Sequence, residues 1–145
     1  MAPRALNKAT AEAVAALSRL RSHAFVYRSQ QEFEDRGRLA NVSLADFEND
    51  LAEVTAELAP ALEAMPAGKV KTNVMNALAS YRDGLNWWRK VDRPRVVHVS
   101  MLAEENFSEA DRVLQSTAAY TVAIHWRQAA RYLQRAEALI QTGRG

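Results

Sequence analysis

Three histidines, three tryptophans and fifteen arginines are the side chains of this sequence best suited to chemistry, and their spacing narrows what that chemistry is. His23, His98 and His125 stand far apart along the chain. A di-iron helical bundle needs a Glu three residues before a ligand His on each of two helices. The residues at that offset here are Leu20, Arg95 and Val122, and no His-x-x-x-His pair exists. His23 and His125 flank apolar stripes, beside Leu20 and Trp126, so the bland reading is a boundary residue satisfied by a neighbour or by water. A metal or general-base role requires the two rings to meet across a bundle.

Trp87 and Trp88 are adjacent, so on a helix they point about 100° apart and cannot share a face. One is expected in the core, opposite the small residues Gly84 and Ala77, and the other at a boundary or on the surface. Tryptophan and arginine are enriched at binding hot spots. Trp87, Trp88, Arg89, His125 and Trp126 therefore form the candidate region for a ligand or partner. Arg82, Lys90, Arg93 and Arg95 stand around it. Arg127, Arg131 and Arg135 recur every fourth residue and make a basic surface suited to bidentate contacts with phosphate or carboxylate. Basic residues interleaved with aromatics also resemble a single-strand binding surface.

The acidic residues between 46 and 63 lack the spaced loop of a calcium site, and a solvated face is their simpler role. Phosphate-cradling glycine loops and nucleophile elbows are absent, and there is no cysteine, which excludes thiol nucleophiles and thiolate metal sites. No catalytic constellation and no cofactor is evident.

Glycine and proline punctuate the segments that must position these residues. They fall at the ends of the chain, at Gly37, at Pro66-Ala67-Gly68 and at Pro94, with Pro60 and Gly84 inside apolar repeats. The first helix is expected over about residues 4–35, carrying Leu6, Thr10, Ala13, Leu17, Leu20, Ala24 and Tyr27 on one face and ending at Gly37. The second opens at Ser43, which with Asp46 resembles a capping box. Its stripe is Leu44, Phe47, Leu51, Val54, Leu58, Leu62 and Met65, and Pro60 is expected to kink or end it. The third begins between Gly68 and Thr72, runs to about Asp92, and lines its core face with Val70, Val74, Leu78, Tyr81, Leu85 and Trp88. Gly84 within it costs roughly 0.5–1 kcal/mol relative to alanine, which points to close packing of a helix or ring there. The fourth is expected from Ser108, capped with Asp111, to about Gln141, with Val122, Trp126, Ala129, Leu133, Ala136 and Ile140 inside.

The spacing predicts an all-α, antiparallel up-down four-helix bundle with a short extra helix or turn near residues 95–107. At 145 residues, 48% of them hydrophobic, the whole of 1–145 fits one domain with one core. Charge alternates in blocks: +4 over 1–31, −7 over 32–63, +5 over 64–103, −4 over 104–111 and +4 over 112–145. The acidic second helix thus falls between two basic neighbours and selects them as such, although exposed pairs stabilise by only about 0–1 kcal/mol each.

No segment approaches the roughly 20 apolar residues of a membrane span. Arg4, Lys8 and Glu12 interrupt the apolar run of a secretion signal, and the expectation is a cytoplasmic protein. For function, the first expectation is a protein–protein interaction or scaffolding bundle that binds another protein or itself as a homodimer. Small-ligand or metal binding by the Trp/His region is the first alternative, and arginine-mediated nucleic-acid binding the second.

Overall fold

The computed structural model describes residues 8–36, 39–92 and 104–143; their regular elements are all helices, with one isolated bridge between Ala24 and Ala40. In chain order the helices are α1 (Lys8–His23), α2 (Gln30–Arg36), α3 (Leu44–Ala64), α4 (Lys69–Asp92) and α5 (Glu104–Gln141). The four long helices pack as an antiparallel bundle, with the short α2 against one end. Among the described residues, no helix is long and apolar enough to cross a membrane.

Cross-helix pairs define the directions. Arg19 reaches Glu57 while His23 reaches Asp50, so α1 and α3 run oppositely. Arg89 near the end of α4 meets Glu48 near the start of α3. Arg21 meets Glu137, and further along Tyr27 meets Arg127, which sets α1 antiparallel to α5. Three of these ion pairs join the acidic α3 to the basic helices beside it, as the charge blocks anticipate.

The apolar stripes turn inward. Thr10, Ala13, Leu17 and Leu20 of α1 are buried. So are Phe47, Leu51, Val54 and Leu58 of α3, Val70, Val74, Leu78, Tyr81 and Leu85 of α4, and Val122, Trp126, Ala129, Leu133 and Ala136 of α5. Ser43 caps α3 as its spacing predicts, its Oγ accepting from the Asp46 amide at 3.1 Å. Pro60 does not end that helix, which continues to Ala64. Both Pro60 and Ala56 are exposed, so water can satisfy the Ala56 carbonyl that proline leaves without a donor.

The first helix is not continuous to residue 35. It stops at His23, and residues 24–29 run outside any helix before α2. Phe25, Val26 and Tyr27 are aromatic or β-branched, types that favour an extended backbone. The backbone here pairs with 39–41 instead: Phe25 N donates to Leu39 O (3.0 Å) and Asn41 N to His23 O (2.9 Å). Asn41 Nδ2 also donates to the Ser22 carbonyl at the end of α1. Ser29 then caps α2, accepting from the Glu32 amide at 3.2 Å, while Glu32 accepts from the Arg28 amide at 3.1 Å. Ser29-x-x-Glu32 has the spacing of a capping box, legible in the sequence, although the carboxylate accepts from the amide one residue before the cap. Ala24 and Tyr27 are buried all the same.

The short helix of the fold is therefore α2. Residues 93–103, which hold most of the extra turn expected at 95–107, lie outside the described residues, as do Leu6 and Gly37. Positions 104–107 form the first turn of α5, so that helix starts one turn ahead of Ser108.

Candidate functional site

The Trp/His region is built where α3, α4 and α5 meet. Gly84 leaves a gap in α4, and the Trp126 indole fills it. A Cβ on Gly84 would fall 2.5 Å from Trp126 Cδ1 and within contact of Nε1. Phe47 lies 4.7 Å from the Trp126 ring, and Trp88 closes on both at 5.9 and 5.5 Å between centroids. Such tilted and edge-on contacts stabilise by about 0.5–1.5 kcal/mol beyond area burial. The side chain expected opposite Gly84 was one of the adjacent pair, but Trp126 occupies that place. Trp126 is 0% exposed and presents no surface to a partner in this conformation.

Neither of the adjacent tryptophans is fully buried. Trp88 is half-buried within the aromatic cluster. Trp87 packs partly on the core, with Lys90 Nζ 4.5 Å above its ring. Arg89 is held by α3: its Nε donates to Glu48 Oε2 at 2.7 Å and its Nη1 to Asn86 Oδ1 at 3.0 Å. His125 is half-buried on α5. His23 Nδ1 stands 2.8 Å from Asp50 Oδ2, an ion-pair spacing that lies off the line of a hydrogen bond. No three metal-ligating side chains gather among the described residues. His98, Arg93 and Arg95 lie outside them. Of the five candidate residues, Trp126 is buried, Trp87, Trp88 and His125 are half-buried, and Arg89 is held in an ion pair with Glu48.

The basic residues of α5 have a different setting. Arg127 is half-buried, and its Nη1 donates to the carbonyls of Tyr27 and Arg28, both at 3.1 Å. These carbonyls belong to the non-helical link, so the guanidinium closes it onto α5. An open recess of about 300 Å³ lies beside this contact, lined by Val26, Tyr27, Arg28, Arg127, Ala130, Arg131 and Gln134. No carboxylate lines it among the described residues. Val26 is 45% exposed, one of two large apolar side chains so placed among the described residues. Arg135 lies outside the recess, with its guanidinium 5.7 Å over the Tyr132 ring.

The described arginines differ in setting. Arg19, Arg21 and Arg89 each meet a carboxylate of another helix. The Arg21–Glu137 contact is bidentate, at 2.8 and 3.0 Å, and that hydrogen bonding holds the guanidinium pKa above its ordinary value against the opposing effect of burial. The side chains of Arg28 and Arg131 meet no carboxylate and no acceptor among the described residues. Arg28 was not foreseen as part of this surface, because a continuous first helix would have placed it differently. The Ser29 cap is the signal that frees it.

Comparison with known proteins yields no match: no family model, curated protein or solved structure is similar to this chain.

Proposed function

We propose that this chain is a non-catalytic interaction module that binds an acidic protein partner through Arg28, Arg127, Arg131 and Arg135. The observation that supports this reading is the division of the arginines. Those along the seams with α3 and between α1 and α5 are neutralised within the bundle, whereas the side chains of Arg28 and Arg131 meet no carboxylate among the described residues. Arginine is the side chain best adapted to interface ion pairs, through its planar fork of donors. Val26 adds an exposed apolar contact at the centre of the face.

A second copy docking through the same face is disfavoured. A two-fold contact places each patch against itself, and here that would set arginine against arginine. The partner is therefore a different molecule, and electrostatic attraction would act chiefly on its rate of encounter.

Fluorescence anisotropy with a labelled polyglutamate peptide tests the reading. Binding is expected at low salt and should weaken as ionic strength rises and the Debye length falls to about 10 Å at 0.1 M. R131E/R135E should abolish it with little change in melting temperature, since both side chains are exposed. R82E, on the exposed surface of α4, should leave it intact. Equal binding by R131E/R135E would overturn the proposal, as would tighter binding of a single-stranded oligonucleotide than of polyglutamate.

A further inference from the structure

We infer that the recess formed by Arg28, Arg127 and Arg131 is a phosphate subsite, and that the partner enters it with a phosphorylated side chain. The inference rests on the basic face being a partner surface, and it names the group recognised there.

Arg127 is the fixed element of the subsite. Its Nη1 gives both N–H groups to the carbonyls of Tyr27 and Arg28, so the guanidinium is held before any ligand arrives. An arginine carries five N–H donors, so three remain on Nε and Nη2, and none meets an acceptor among the described residues. Arg28 and Arg131 bring two further guanidiniums to the same recess, and Gln134 brings an amide. Three cations around about 300 Å³, with no lining carboxylate among the described residues, favour an anion there.

The charge and donor count select the anion. A carboxylate offers one charge and two oxygens. A phosphorylated side chain offers about −1.5 to −2 charges at pH 7 and three strong acceptor oxygens. It can therefore accept from more than one fork at once, and such charge-assisted bidentate bonds are the strong ones.

The walls select the carrier. The lining mixes apolar surface from Val26, Tyr27 and Ala130 with the three arginines and Gln134, and the recess opens to solvent. At about 300 Å³ it stands at the small end of ligand sites, and its open mouth leaves a bound metabolite only partly enclosed. A phosphorylated protein segment continues outward across Val26 and toward Arg135, where the exposed surface can meet it.

The test is a pair of glutamate-rich peptides that differ only by one central phosphoserine in place of serine. The phosphopeptide is expected to bind at least about tenfold more tightly, the worth of one good charge-assisted hydrogen bond. Inorganic phosphate should compete for the difference. R28A/R131A should erase the preference while keeping the wild-type melting temperature, and Arg127 is left untouched because it also closes the link. Equal binding of the two peptides, or a preference that survives R28A/R131A, overturns the phosphate subsite and leaves the basic-face reading standing. No binding of either peptide overturns both. Stronger competition by phosphatidylinositol-phosphate vesicles or by a single-stranded oligonucleotide than by the phosphopeptide would also overturn it.

Discussion

The Trp126 indole lies against Gly84 so closely that α4 has no room for a single added carbon at that position. The ring cannot easily retreat, because Phe47 and Trp88 hold its other sides. G84A should therefore destabilise the bundle by about 1–3 kcal/mol, the usual cost of overpacking, despite the gain of roughly 0.5–1 kcal/mol in helix propensity. Urea unfolding measures this. In a W126F background the same substitution should cost distinctly less, since residues in contact couple. A neutral G84A in the parent protein would contradict the close approach.

Tyr81 predicts a pH effect. Burial pushes its phenol well above the ordinary value of about 10, the nearby Arg21 cation works the other way, and Glu137 adds to the rise. The folded state thus keeps a proton that the unfolded chain releases. The associated stability is complete below about pH 10 and is lost as pH climbs from there toward the folded-state value. Y81F should flatten the alkaline decline measured by denaturation between about pH 9.5 and 11. At neutral pH it should be nearly neutral or stabilising, because the buried hydroxyl has no hydrogen-bond partner among the described residues. A decline of undiminished slope in Y81F would refute the assignment.

The two α1 ion pairs should differ in worth. Arg21 and Glu137 are about a third exposed and bidentate, whereas Arg19 and Glu57 are about half exposed. E137Q is expected to cost about 1 kcal/mol and E57Q less than about 0.5 kcal/mol, with the second effect vanishing first as salt is added. Chemical denaturation at two ionic strengths distinguishes them. The reverse order would mean that exposure does not govern these contacts.

S29A should loosen α2 without unfolding the bundle. The lost cap is worth about 1 kcal/mol, and α2 has seven residues. Its anchor is Phe33, set between Tyr27 at 5.4 Å and Tyr120 of α5 at 6.0 Å. Amide exchange should accelerate at Glu32 and Phe33, while exchange at Leu17 and Leu133 stays near the parent rate. Uniform acceleration across all helices would show that α2 and the bundle open together.

Much of this was legible because a helix stripe is a local property. The Ser43 cap, the buried face from Phe47 to Leu58, the start of α4 after Gly68 and the inward row from Val122 to Ala136 all follow from spacing that tertiary contacts then satisfy. The error at residues 24–29 had a different cause. Ala24 and Tyr27 kept the helical period and are buried, but they reach the interior from a non-helical link whose hydrogen bonds go to residues 39–41. Periodicity reports which residues face inward, not which backbone carries them.

Composition and period were enough to determine helices, their inner faces and the attraction of an acidic α3 for basic neighbours, since each depends on residues a few positions apart. Which tryptophan would fill the space at Gly84 depended on the register between α4 and α5, which no local pattern encodes. The gathering of Arg28 with Arg127 and Arg131 likewise joins positions about a hundred residues apart. Only the packed bundle brings them within reach, because a long-range contact is set by how whole helices slide and turn against one another.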